Sequence, residues 1–183
     1  MEDAGIEYRC VTPGHEPEED TAPPRELVLQ RAEAKAKGAI PQLAGGHSLD
    51  DVVVGVDTVV ESAGATVGKA RDREHAASIL CALAAAGIHR VHSAHCVVST
   101  DGKVFRSETT TSTVRFDPEV AGWLPDWLET DLWRGKAGAY GIQDPEAGFA
   151  SLVAGEMDTV IGMNVATVQN LVGQVRGALG GGA

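Results

Sequence analysis

The stretch VVVGVDTVV, residues 52–60, constrains the fold more than any other part of the chain. Its first four valines form a β-branched run typical of a buried strand, and Val59 and Val60 resume the run after Asp57. A carboxylate inside such a strand is costly to bury unless it has a partner. The residues alone leave three partners open: a metal ion, a lysine or a substrate proton. They also leave open a simpler interpretation, in which Asp57 only caps a turn.

A hairpin after this strand is expected to carry a lysine back towards Asp57. The turn residues Ser-Ala-Gly-Ala at 62–65 are followed by Val67-Gly68-Lys69. Two β-branched runs joined by such a turn are typical of a hairpin. We therefore predict that Lys69 lies in the neighbourhood of Asp57.

Composition favours a single globular domain. The chain has 183 residues and a mass of 19.0 kDa, and 43% of its residues are hydrophobic, enough for a sizeable core. No apolar run approaches the roughly 18 residues of a membrane span, and the N-terminus does not resemble a signal peptide. Three widely spaced cysteines, Cys10, Cys81 and Cys96, form no zinc pattern and do not suggest a disulfide scaffold. We therefore expect a cytoplasmic protein without a membrane partner.

The net charge of −11 argues against binding to a nucleic-acid polymer, which requires clustered lysine and arginine. It still permits a small anionic ligand held by a few local cations. Much of the acidity lies at residues 16–20, where a solvated loop is the simplest interpretation.

The pattern of elements predicts an α/β protein with a mixed sheet. Predicted strands cover 6–11, 52–60, 89–100, 103–116, 149–153 and 159–161, and predicted helices cover 25–39, 71–86, a short segment up to 128 broken by Pro125, and a last segment after Asn164. Asp72 and Gly87 are the expected ends of the clearest helix. The Asp-Gly pair at 101–102 is a strong hairpin signal.

Three histidines, His89, His92 and His95, recur at intervals of three in one predicted strand. A period of two residues puts His89 and His95 on the same face. A metal cluster is disfavoured because no set of carboxylates or cysteines completes it.

The segment GKAGAYGIQD, residues 135–144, has glycine at three of ten positions, which allows a ligand to approach the backbone closely. Lys136 and Gln143 add a cation and an amide that both donates and accepts hydrogen bonds. The spacing fits neither a Walker nor a Rossmann motif. A flexible surface loop is the alternative, but Tyr140 and Ile142 within the segment speak against it.

Four segments in this order and spacing, GVDTVV, VGKARD, RGKAGAYGIQD and DTVIGMNV, resemble the Maf family. The resemblance extends from about residue 4 to about residue 175. It implies an α/β fold related to inosine triphosphatase, with flanking helices, two lobes around a central cleft and often a homodimer. It also implies a house-cleaning nucleoside triphosphate pyrophosphatase, and the KAGAYGIQ form resembles the branch that acts on dTTP and UTP.

The resemblance also implies a set of site residues and a divalent metal cofactor, Mg²⁺ or Mn²⁺. The implied residues are Asp57 as the catalytic carboxylate; Lys35, Lys69, Lys136 and Gln143 as substrate-binding residues; and Asp57 with Glu16 as metal ligands. Lys35 matches the helix lysine of the family's A-x-x-K-A stretch, and Lys69 matches a lysine that contacts phosphate.

The sequence departs from the family pattern at its start. The family opens with a strand and an S-x-S-P-R-R segment, whereas this sequence begins near the end of the helix that follows them. We expect residues 1–183 to form one Maf-like domain without these parts, with 176–183 as a disordered tail. Either the segment is encoded upstream of this sequence or it has been lost, and because arginine binds phosphate in bidentate fashion, the two cases imply two different functions. One is an active pyrophosphatase, and the other is a catalytically impaired nucleotide-binding or regulatory protein.

Overall fold

A computed structural model describes residues 7–13, 22–43, 48 and 51–180. Within these ranges the helices are α1 (Pro24–Ala39), α2 (Arg73–Ala86), α3 (Leu124–Glu129), α4 (Met157–Ile161) and α5 (Val165–Gly180). The strands are β1 (Val52–Ser62), β2 (Ala65–Val67), β3 (Ile88–Ser99), β4 (Phe105–Phe116) and β5 (Ala150–Ala154). The predicted α/β fold class is confirmed.

The described strands form one sheet in the order β2-β1-β3-β4-β5, and every neighbouring pair is antiparallel. The predicted mixed sheet is therefore wrong for these strands. Tight hairpins join β1 to β2 and β3 to β4, which forces antiparallel pairing. The helix α2 then carries the chain from β2 to β3, and these two strands run in the same direction on either side of β1.

Helix α1 packs on one face of the sheet, with its backbone almost in contact with β1. A side-chain Cβ built at Gly55 would lie 2.4 Å from the carbonyl oxygen of Ala32 and 2.6 Å from the amide nitrogen of Ala36. The helix can therefore approach the strand this closely only because residue 55 is glycine. This approach places Lys35, one residue before Ala36, next to Asp57.

The opposite face of the sheet carries the aromatic core and α5. Trp127 and Trp133 lie in this core, and both are about 1% exposed. The last helix begins after Asn164 as predicted, and Asn164 caps it, because its Oδ1 accepts a hydrogen bond of 3.0 Å from the backbone amide of Thr167. Neither α5 nor any other helix in the described ranges is long and apolar enough to cross a membrane.

Several predicted elements differ from those observed. Residues 159–161 belong to the helix α4 rather than to a strand. Thr159 forms hydrogen bonds with Ser93 of β3 and Thr110 of β4, and these bonds hold α4 against one face of the sheet. Pro125 lies in the first turn of α3, where a missing amide proton costs little, so it does not break the helix. The predicted strand at 6–11 is absent from 7–11, and α5 continues to Gly180, so 176–180 are helical.

The buried histidine His89 gives the stability of the protein a predictable pH dependence. Its Nε2 lies 2.8 Å from the Tyr140 hydroxyl, its ring packs edge-on against Phe116, and burial lowers its pKa to about 4. Below its ordinary pKa of about 6.5 the unfolded chain binds a proton that the folded protein excludes. The contribution of His89 to the free energy of unfolding is therefore fully present above about pH 6.5. It falls by about 3 kcal/mol as the pH is lowered to 4.

Urea unfolding of the wild type and of His89→Gln at pH 7 and pH 4 checks this prediction. Glutamine can still bond to Tyr140 but does not titrate, so the variant should lose about 3 kcal/mol less on acidification. Burial also lowers the pKa of His95, so His95 contributes to the acid sensitivity of both proteins equally. The difference between the two proteins therefore reports on His89. Equal acid sensitivity of the two proteins would contradict the assignment to His89.

Candidate active site

A cavity of about 370 Å³ lies beside the outer edge of β1. Its lining includes five of the six residues implied as site residues: Lys35, Asp57, Lys69, Lys136 and Gln143. The sixth, Glu16, lies outside the described residues. The strand β2 pairs only with residues 60–62 of β1. Residues 52–59 therefore have no strand partner on that side within the described ranges, and the cavity opens there.

Asp57 is held by a lysine from α1. The ammonium of Lys35 lies 2.6 Å from Asp57 Oδ1 and 3.4 Å from the carbonyl oxygen of Val56. Of the partners that the sequence left open, a lysine is therefore present. The turn-cap interpretation is wrong, because Asp57 lies in mid-strand and pairs with Ala94 of β3.

The second carboxylate oxygen of Asp57, Oδ2, is buried and has no hydrogen-bond partner among the described residues. A buried acceptor without a partner loses its hydration and gains nothing in return. A proton donor or a cation that enters the cavity can supply the missing interaction. Asp57 therefore combines one oxygen that Lys35 anchors with one whose hydrogen-bonding capacity no described residue uses.

Lys69 reaches the cavity through the predicted hairpin. Its backbone forms a β-bridge with Ala137, and the amide of Gly138 donates a 3.2 Å hydrogen bond to the carbonyl of Gly68. The hairpin thereby joins the glycine-rich segment and places Lys69 on the same cavity as Asp57, as predicted. No carboxylate in the described part of the chain contacts the Lys69 ammonium, so its charge is available to an anionic ligand.

The glycine-rich segment, residues 135–144, is an ordered wall of the cavity, so the alternative of a flexible surface loop is wrong. Ala139 is fully buried at a φ of 61°, and its carbonyl accepts a 3.0 Å hydrogen bond from the indole of Trp127. Tyr140 is anchored to His89. Burial raises the pKa of the Tyr140 phenol, which therefore stays protonated. The Lys136 ammonium forms an ion pair with Asp144.

Sequence reasoning missed the apolar wall at residues 160–163, since this region was predicted as a strand. The hydroxyls of Thr58 and Ser93 lie 2.7 Å apart, and Ser93 Oγ donates to the Thr159 carbonyl at 2.8 Å. These bonds hold α4 on the sheet, and the residues after its start then line the cavity. Two sequence signals were available: the segment DTVIGMNV, which contains these residues, and Gly162, whose φ of 113° ends α4.

The three histidines do not come together. His89 bonds to Tyr140 on one face, and His95 Nε2 accepts a 3.0 Å bond from the amide of Asn164. His92 lies on the other face, with Nε2 2.6 Å from Glu61 Oε2. Within the described ranges, no group of three or more histidines, cysteines, aspartates or glutamates could hold a metal ion.

An α/β fold with a lysine-anchored carboxylate and further lysines on one cavity defines a protein suited to a small anionic ligand. More particularly, the chain belongs to the family of Maf-like proteins, whose sequence model matches residues 1–175. The predicted family membership is confirmed.

Relatives with named activities are similar over most of the chain. A dTTP/UTP pyrophosphatase of Agrobacterium fabrum is 33% identical over 150 residues, which are 81% of this chain and 72% of that protein. A nucleoside triphosphate pyrophosphatase of Streptomyces avermitilis is 30% identical over 183 residues, 96% of this chain and 84% of that protein. A dTTP/UTP pyrophosphatase of Pyrococcus horikoshii is 32% identical over 148 residues, 80% of this chain and 75% of that protein.

Proposed function

We propose that this protein hydrolyses nucleoside triphosphates to the nucleoside monophosphate and pyrophosphate, with dTTP and UTP preferred. The observation that carries the proposal is Asp57, whose Oδ1 is anchored by Lys35 while its buried Oδ2 has no hydrogen-bond partner in the described part of the chain. The names of the related enzymes support the reaction and the preferred bases. The KAGAYGIQ segment supports the same branch of the family.

In this proposal Asp57 acts on the attacking water. The water oxygen forms a bond to phosphorus, its proton passes to Asp57 Oδ2, and the bond to the leaving pyrophosphate breaks. A base fixed by an ion pair at its other oxygen is oriented before the substrate arrives, which favours general-base catalysis. Lys69 neutralises the negative charge that grows on the phosphates in the transition state. Gln143, on the same cavity, can donate to and accept from the base or sugar.

The residues at the cavity also fit a divalent metal. Magnesium usually takes one or two protein carboxylates and completes its shell with water and substrate phosphates, so one unsatisfied carboxylate oxygen is an adequate anchor. Asp57 would hold Mg²⁺ or Mn²⁺ together with Glu16. In that case Oδ2 would be a metal ligand rather than the acceptor of the water proton. When bound, the metal would neutralise phosphate charge and lower the pKa of a coordinated water.

The proposal includes a cytoplasmic location, a homodimer and no nucleic-acid polymer as partner, and these remain predictions. The test of the function is a screen for pyrophosphate release by the 183-residue chain, with Mg²⁺ or Mn²⁺, over all ordinary nucleoside triphosphates and modified pyrimidine nucleotides. We expect kcat/KM for dTTP and UTP to exceed that for the purine nucleotides by about tenfold or more, because polar groups placed for one base are left unpaired by another. Nucleotide binding without release from any substrate would contradict the proposal and favour the binding-only alternative.

A further inference from the structure

We infer that Asp144 is a positioning residue, which braces Lys136 so that this lysine shapes the cavity through residues 136–144 rather than by gripping phosphate. The inference deepens the proposed function and rests on it wherever activity is the readout. Of the cavity lysines, Lys69 then provides charge for the phosphates, whereas Lys136, held by Asp144, keeps residues 136–144 in position.

The ion pair occupies a space that the sequence keeps empty. The Lys136 ammonium contacts Asp144 Oδ2, and the two side chains are 27% and 17% exposed. A Cβ built at Gly141 would lie 2.5 Å from Asp144 Oδ2 and 2.7 Å from Lys136 Nζ. The pair therefore lies directly over Gly141, and any side chain there would push it aside. Of the two partners, Lys136 lines the cavity, and Asp144 is not among the described residues that do so.

The pair lies at the end of the segment that carries the cavity-lining residues Tyr140 and Gln143. The middle of the segment is held by the Tyr140–His89 bond and by the indole of Trp127. Its end is held by a turn, in which the amide of Asp144 donates to the carbonyl of Gly141 at 3.0 Å, and by the ion pair. Gln143 directly precedes Asp144, so its position on the cavity depends on the ion pair.

The ion pairs of the cavity lysines also favour a positioning role for Lys136 and a phosphate-binding role for Lys69. Lys35 is paired with Asp57 and Lys136 with Asp144, whereas Lys69 contacts no carboxylate in the part of the chain that the structure describes. If Lys136 turned to a phosphate, the largely buried Asp144 carboxylate would lose its partner close to an incoming anion, which is strongly unfavourable. Lys69 can bind phosphate without breaking an ion pair.

A charge swap separates bracing from phosphate binding. We expect Lys136→Ala and Asp144→Ala each to raise KM for the preferred nucleotide about tenfold, with kcat within about threefold of the wild type. The double alanine variant should be no worse than either single variant, because both remove one interaction. Lys136→Asp combined with Asp144→Lys should return KM to within about threefold of the wild type, although the ammonium has left the cavity lining. A swap as weak as Lys136→Ala, or a normal KM for Asp144→Ala, would overturn the inference.

Amide hydrogen exchange in the protein without nucleotide gives a readout that does not need turnover. Exchange across residues 136–144 should accelerate about tenfold in Lys136→Ala and in Asp144→Ala and should return towards the wild-type rate in the swap. Glu129→Ala breaks the exposed Arg73–Glu129 pair and serves as the matched control, with unchanged exchange in this segment. If the wild type hydrolyses no nucleotide, the proposed function fails, but exchange still decides the inference.

A thermal unfolding scan of each variant identifies any that do not fold. Should the swap be one of these, Asp144→Asn replaces it, because the asparagine carbonyl still accepts a hydrogen bond from Lys136. Slow exchange in Asp144→Asn together with fast exchange in Asp144→Ala supports the brace. Wild-type exchange in Asp144→Ala overturns it.

Discussion

Replacing Asp57 with asparagine is expected to lower kcat for nucleotide hydrolysis by about a thousandfold, within the range that a general base contributes. The amide keeps the size of the carboxylate and can still accept a hydrogen bond from Lys35, but it cannot take a proton from water. It is also a poorer ligand for a divalent cation, so the loss is expected whichever role Oδ2 has. Steady-state pyrophosphate release, with circular dichroism to verify folding, makes the measurement.

The matched control is Asp126→Asn, which makes the same chemical change at an exposed position in the first turn of α3. Its kcat should equal that of the wild type. Near-normal turnover by Asp57→Asn would refute the role of Asp57, and an equal loss in both variants would show that the effect is not specific to the cavity.

Replacing Gly55 with alanine is expected to destabilise the protein by about 3 kcal/mol, the upper end of the usual cost of overpacking a core. The added Cβ would meet the backbone of α1 at Ala32 and Ala36, and backbone in a helix cannot turn aside as a side chain can. The helix must therefore move away from β1. Because Lys35 lies on that helix, its contact with Asp57 lengthens, and hydrolysis should fall about tenfold as well.

Urea unfolding monitored by circular dichroism measures the stability change, and Gly148→Ala is the matched control. No described heavy atom lies within 4 Å of a Cβ built at Gly148, and its φ of −55° suits any residue. This control should change the free energy of unfolding by less than about 0.5 kcal/mol. A Gly55→Ala protein as stable as the wild type would contradict the close packing of α1 on β1.

Local patterns in the sequence predict much of the fold. The valine run predicts β1, Asp-Gly predicts the β3–β4 hairpin, and Asp72 and Gly87 bound the helix α2 as expected. Each of these signals depends on residues close together in the chain. The mixed sheet is wrong for the described strands and the strand at 159–161 is a helix, because the pairing of β1 with β3, the pairing of β4 with β5 and the position of α4 depend on contacts between distant segments. Thr159, for example, is held by Ser93 and Thr110, at least 49 residues away.

Parts of the candidate site were likewise predictable from the sequence, whereas others depend on contacts between distant residues. The resemblance of the motifs indicated which side chains to examine, and the described ones lie on one cavity. The partner of Asp57 stayed open because Lys35 lies 22 positions earlier, on a helix whose docking depends on Gly55. The pairing of Lys136 with Asp144 gave no periodic signal, because a turn rather than a helix or strand brings these two residues together.

The most direct measurement is ³¹P NMR of the products formed from UTP or dTTP by the 183-residue chain with Mg²⁺ or Mn²⁺. Attack at the α-phosphorus predicts nucleoside monophosphate and pyrophosphate in equal amounts, without orthophosphate, and neither product from Asp57→Asn. Formation of nucleoside diphosphate and orthophosphate would contradict the account. So would intact nucleotide after prolonged incubation.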